Sequence, residues 1–235
     1  MRSPFLFYFG VLALVLGCAT AQPAPEVAQR DNDEDNEEIE ALSPEEVFAA
    51  GGNAGNIFQG KDRRAAKTSI ANAPVESFTT IIALRQSLQD DNAMRARGIS
   101  SDPSSDRVDV EQRNVTVHAF IYAIKKESDR DFHVILGDAN CQAPSCFMNA
   151  EVSGLPKSPQ HPDRAALTAV RTNFLNHFDA EPGTKKVKTY DNPLPVQVTG
   201  SLFFDVHHSA GEVGPPCCRP DTVWEIHPLT DVTFE

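Results

Sequence analysis

The chain contains no apolar run long enough to cross a bilayer. Its longest, Phe5 to Gly17, is about a dozen residues, and a spanning helix needs about 20. Positive charge is also scarce: 21 Lys and Arg face 33 Asp and Glu, for a formal net charge of −12. A nucleic-acid ligand requires clustered cations to neutralise phosphates, so this balance disfavours that class. Compact chemical motifs are missing too. Without HExxH or CxxC there is no ready zinc-ligand pair, without GxSxG no nucleophile elbow, and without a glycine cluster opening a helix no phosphate cradle.

What the chain does have at its start is the order of an export signal over residues 1–21: Arg2, the apolar run, then small residues. Val15-Leu16-Gly17-Cys18 resembles the lipobox of bacterial lipoproteins, which implies lipidation of Cys18 and a membrane anchor through that lipid. Ala19-Thr20-Ala21 offers an ordinary secretory cut three residues on. Either route predicts an extracytoplasmic protein, anchored as a lipoprotein or secreted or periplasmic. Residues 22–50 read as a disordered acidic tether, because "DNDEDNEEIE" has too little apolar surface to offset the entropy of ordering it. Four further cysteines, Cys141, Cys146, Cys217 and Cys218, are an even number, and in an oxidising compartment they predict disulfides with three connectivities. A local Cys141–Cys146 bridge is the simplest, and pairing across to 217 and 218 is the alternative.

Ser43-Pro44-Glu45-Glu46 predicts a short helix, with Ser as cap and acids at the positive end of the dipole, ended by Gly51-Gly52. Residues 51–109 mix basic, polar and apolar signals and predict a small, partly helical extension packed on the core. From 110 to 235 the pattern sharpens. "VTVHAFIYAI", "FHVILGDA" and "CFMNAEV" predict three strands, and "PDRAALTAVRTNFLNHF" (162–178) predicts an amphipathic helix. "LPVQVTGSLFFDVHH" and "TVWEIHPLTDVTF" predict two more strands around a Gly/Pro loop. The order β-β-β-α-β-β is that of an OB-fold-like five-stranded barrel, so the fold class expected is mainly β.

"AIKKESDRDFHVILGD", "GSLFFDVHH" and "WEIHP" together resemble an uncharacterised family of bacterial exported proteins, as do "RRAAKT" and "TTIIAL" upstream. The shared pattern is ExDxD[FY]HxxLxD, GxxFFD and ExHP in this order, over roughly 63 to 235. That resemblance implies a fold and an address, and no reaction. "NCQAPSC" and the Cys217-Cys218 pair depart from it.

Strand alternation assigns the chemistry. Leu202, Phe204 and Val206 share one face and Phe203, Asp205 and His207 the other; Trp224 and Ile226 oppose Glu225 and His227. If the last two strands are neighbours, Asp205, His207, His208, Glu225 and His227 are expected to crowd one patch at the barrel rim. Imidazoles with carboxylates suit a divalent transition metal, the one cofactor the chain suggests. A second motif, Asp129, Asp131 and His133, predicts either a cation-binding face or a solvated hairpin turn with His133 exposed. Trp224 is either core or a stacking platform for a ligand. The leading expectation is an extracytoplasmic OB-fold-like binding module for an unknown protein or small ligand. A metal-dependent hydrolase using the His/carboxylate residues is one alternative, and single-stranded nucleic-acid binding is the other.

Overall fold

The computed structural model of the protein describes residues 38–184 and 186–235, all within one compact unit. The export signal, Cys18 and the tether as far as residue 37 lie outside the described residues. Among the described residues no helix is long and apolar enough to cross a membrane.

The helices are α1 (Pro44–Ala50), α2 (Arg64–Lys67), α3 (Ile81–Gln86), α4 (Asp91–Arg95) and α5 (Arg164–Asn176). The strands are β1 (Val75–Phe78), β2 (Asn114–Lys126), β3 (Phe132–Gly137), β4 (Phe147–Val152), β5 (Lys188–Phe204) and β6 (Trp224–Phe234). They form one mixed sheet in the order β1-β2-β3-β4-β6-β5, and a further β2–β5 pairing closes β2 to β6 into a ring of five. Within the ring only β4–β6 runs parallel. The expected order of three strands, a helix and two strands is what the chain adopts, and the expected strands coincide with β2 to β6 apart from their ends.

Closing a ring with so few strands needs sharp bends in the long ones, and β2 and β5 bend at register shifts near Ile121/Ala123 and Gly200. Gly200 is required there by contact: a Cβ would lie 2.5 Å from the Pro228 carbonyl oxygen and 2.6 Å from Ile226 Cγ2. One face of every ring strand then supplies the main core, including Val117, Val134, Ala150, Val198, Leu202 and Ile226. Phe174 of α5 packs on this core, its ring 5.5 Å from Phe132, with each such buried side chain contributing about 1.5–3 kcal/mol.

The N-terminal part follows its local signals before tertiary contacts take over. Glu46 N–H donates to Ser43 Oγ (3.2 Å) and Ser43 N–H to Glu46 Oε2 (2.7 Å), a capping box that starts α1 where the sequence predicts it. Beyond it, residues 56–59 run along the chain that leaves β4. Phe58 N–H donates to Leu155 O (2.9 Å), Leu155 N–H to Asn56 O (2.7 Å) and Gln59 N–H to Asp129 O (2.8 Å). This clamp brings α2 and its flanks, with buried Arg63 and Lys67, to the face of the strands that the main core does not use.

Candidate functional site

Pairing register builds a polar row across that second face. His133 of β3 lies opposite Glu151 of β4, Asn149 of β4 pairs with Glu225 of β6, and Glu225 pairs with Phe203 of β5. Alternation leaves Val134, Ala150, Ile226 and Leu202 in the core and turns these neighbours the other way. Asp131, from the turn between β2 and β3, joins the row at His227. His227 and Asp131 are fully buried and Glu151 and Glu225 are 1 % exposed.

The distances are short. His227 Nδ1 lies 2.8 Å from Glu151 Oε2 and 3.6 Å from Glu225 Oε2, and Nε2 lies 3.3 Å from Asp131 Oδ2. His133 Nε2 is 2.8 Å from Glu151 Oε1. The Asn149 side-chain amide donates to Glu151 Oε1 (3.0 Å) and Glu225 Oε1 (2.8 Å).

Burial and like charge pull these groups apart in protonation. Desolvation pushes Asp131 well above the usual carboxylate range, and the charges of Asp129 and Glu151 add to it. Glu225 is raised to about 7 by burial and by Glu151. Desolvation acts on Glu151 in the same direction, but His133 and His227 outweigh it and hold that carboxyl well below its usual range. Burial opposes a charge on His227 too, and the Glu151 charge more than offsets it, so its pKa rises. Asp131, Glu151 and His227 each offer a ligand atom within 4.8 Å of the others, and such a buried Asp/Glu/His group could hold a metal ion.

The structure divides the expected patch of Asp205, His207, His208, Glu225 and His227 among three groups. Glu225 and His227 join Asp131 and His133. Asp205 is held separately, 3.7 Å from Lys67 Nζ and 3.1 Å from His208 Nδ1. His207 turns away to Asp62, 3.0 Å off, and its side chain is 43 % exposed. Asp129 takes a turn role, its Oδ1 accepting from Asp131 N–H at 2.9 Å. The expected rim position of the imidazoles and acids is therefore corrected: α2 and its flanking segment cover that face and seal it. His133, which the hairpin-turn alternative placed in solvent, is buried and lies beside Glu151 across the β3–β4 pair. Trp224 is 1 % exposed, its ring 5.4 Å from Phe204 and its Nε1–H donating to Gln89 O (2.8 Å), which removes it as an open stacking platform.

Sequence reasoning missed Glu151 and Asn149. Both stand in "FMNAEV" as two polar residues at alternate positions of a strand that the structure buries along its whole length, where they demand partners on the neighbouring strands. Among the cysteines, Cys141 and Cys146 form a disulfide with their Cα atoms 5.8 Å apart. Cys217 and Cys218 remain thiols, one exposed and one buried, their Sγ atoms 2.6 Å apart.

Apart from the sealed row, an open groove of about 700 Å³ borders the β5–β6 connection, lined by α3, α4 and residues of that loop. Its walls are braced. Arg85 reaches Asp221 (2.5 Å) and the Phe147 carbonyl (2.9 Å), Arg95 reaches the His208 carbonyl (2.5 Å), and Asp91 accepts from Thr222 Oγ1 (2.8 Å). Comparison with family models, with curated proteins and with solved structures finds no match to this chain.

Proposed function

We propose that this protein is an extracytoplasmic binding module on an OB-fold-like barrel, not an enzyme, and that its ligand docks in the groove beside the β5–β6 connection. The observation that carries this reading is the contrast in access. Every carboxylate and imidazole of the polar row is buried, whereas the groove is open and its walls are braced by the hydrogen bonds of Arg85, Asp91 and Arg95. A reaction centre needs a path for substrate, and a binding surface needs rigid walls.

The barrel assignment is supported by the closed five-strand ring with its one parallel pair and by α5 between the third and fourth ring strands in the chain. The extracytoplasmic address rests on the N-terminal sequence and on the family resemblance. A divalent transition metal, in this reading, belongs to the framework of the fold.

Trp224 is the single tryptophan and lines the groove, so its fluorescence reports occupancy. Titration with a panel of oligosaccharides, short peptides and oligonucleotides is expected to give a saturable change with at least one class, abolished by Arg95→Glu. Turnover of ester, phosphodiester or peptide substrates by metal-supplemented protein, lost in Glu151→Gln, would overturn the binding reading in favour of a hydrolase.

A further inference from the structure

We infer that the sealed polar row is a structural metal site: Asp131, Glu151 and His227 hold one divalent first-row transition-metal ion, with Glu225 at its border. The inference is independent of what the groove binds.

The hydrogen-bond pattern of the three carboxylates leads to it. Each has one oxygen held by the protein and one left over. Asp131 Oδ1 accepts from Gly154 N–H, and the Oε1 atoms of Glu151 and Glu225 both accept from the Asn149 amide. The remaining three, Asp131 Oδ2, Glu151 Oε2 and Glu225 Oε2, are buried with no hydrogen-bond partner outside the cluster, and so are both ring nitrogens of His227. These are the atoms that face one another at 2.8 to 3.6 Å. Buried polar atoms are almost always paired. Three carboxylate oxygens converging on one imidazole therefore point to a shared ligand, an ion held by one of the ring nitrogens and the carboxylates.

The spacing fits an ion. Metal–oxygen and metal–nitrogen bonds of about 2.0–2.2 Å put neighbouring donors about 3 Å apart and opposite ones about 4 Å apart. Asp131, Glu151 and His227 fall within 4.8 Å of one another. Partners around a ligand set orient it, and here Asn149, His133 and the Gly154 N–H fix the carboxylates by their outer oxygens.

Charge agrees. Three carboxylates surround His227. Of the cations on that face, Arg63 pairs with Glu111, Lys67 lies 3.7 Å from Asp205, and Arg107 donates to the Ala66, Ser69, Leu202 and His227 carbonyls; from α5, Arg171 donates to the Val152 and Ser153 carbonyls. A dication placed among the three carboxylates supplies a counter-charge at close range. An imidazole among carboxylates selects zinc, manganese or iron(II) over calcium, whose ligands are all oxygen. Full burial makes the site structural, since catalytic sites keep an open position.

The test uses the full chain purified without chelator. Elemental analysis is expected to find close to one transition-metal ion per chain, retained in His207→Ala and Cys217→Ser and lost in the shape-conserving Glu151→Gln and Asp131→Asn. Stripped protein, given zinc, manganese or cobalt(II) at about a hundredfold over its dissociation constant, is expected to gain about 5 °C or more in Tm. Cobalt(II) should also show visible bands of nitrogen and oxygen ligation. If the variants fail to fold, the wild-type titration decides alone. No rise in Tm with any of the three ions, or metal that persists in both carboxamide variants, overturns the site. None of these readouts involves the groove, so the binding-module reading stands or falls separately.

Discussion

One buried ion pair helps tie the cover of the polar row to the rest of the fold, which makes Glu111→Ala the most informative perturbation. Arg63 immediately precedes α2 and its side chain is 1 % exposed, while Glu111 is fully buried. Glu111 accepts four hydrogen bonds: Arg63 Nη1 (2.7 Å) and Nη2 (2.6 Å), Val108 N–H (2.8 Å) and Phe204 N–H (2.9 Å). Removing it strands a guanidinium in a dry site beside the Phe203 ring, 4.7 Å away. Breaking a buried pair costs about 3–5 kcal/mol, so about 4 kcal/mol is expected, or about 8–16 °C in Tm for a chain of this size. Urea unfolding followed by Trp224 fluorescence measures it, because that tryptophan is buried in the core. The control is Arg63→Met with Glu111→Leu, which replaces the pair with apolar volume and should restore more than half the loss. Full recovery is not expected, because Arg63 also donates to the Phe204 (3.2 Å) and Asp106 (3.0 Å) carbonyls. An alanine variant within about 1 kcal/mol of wild type would refute the reasoning, since a pair so thoroughly desolvated cannot be that dispensable.

Three further outcomes follow from other parts of the fold. Gly200→Ala should cost about 1–3 kcal/mol in urea unfolding, because its Cβ meets backbone and a buried side chain at the β5 bend. Iodoacetamide should label Cys217 well before Cys218, as read by peptide mass spectrometry; Cys218 is buried, and burial raises its thiol pKa strongly. Asp205 provides a pH dependence. Burial pushes its carboxyl up, but the Lys67 ammonium, the His208 ring and the His207 N–H outweigh it and hold the pKa well below the usual range. Its stabilisation is thus complete above the unfolded value of about 4 and is lost as pH falls from there toward the folded value. The stability gap between wild type and Asp205→Asn should stay level near neutrality and shrink in acid; a gap unchanged down to about pH 3 would contradict the assignment.

Much of the architecture is legible along the chain because strand and helix signals are local. The alternation of "LFFDV" correctly sends Leu202 and Phe204 to the core and Phe203 and Asp205 to the other side, and "WEIHP" divides in the same way. The capping box at Ser43 and Glu46 is a matter of three residues' spacing. The site was legible only in halves. Asp131 and His133 were recognised as one motif and Glu225 and His227 as another, yet nothing along the chain says that they meet. That depends on β4 inserting between β3 and β6, a pairing of segments separated by some seventy residues. Burial was misjudged for a related reason, since exposure of a strand face depends on what covers it, and here the cover comes from residues 56–69.

The amino-acid order by itself determined where strands and the long helix form and which side chains share a face, because those follow from backbone periodicity and nearest neighbours. Only the tertiary structure decided that the ring closes through β2 and β5, that the two polar motifs converge on His227, and that this convergence is dry. Those outcomes are set by contacts between distant segments, whose joint geometry no local pattern encodes.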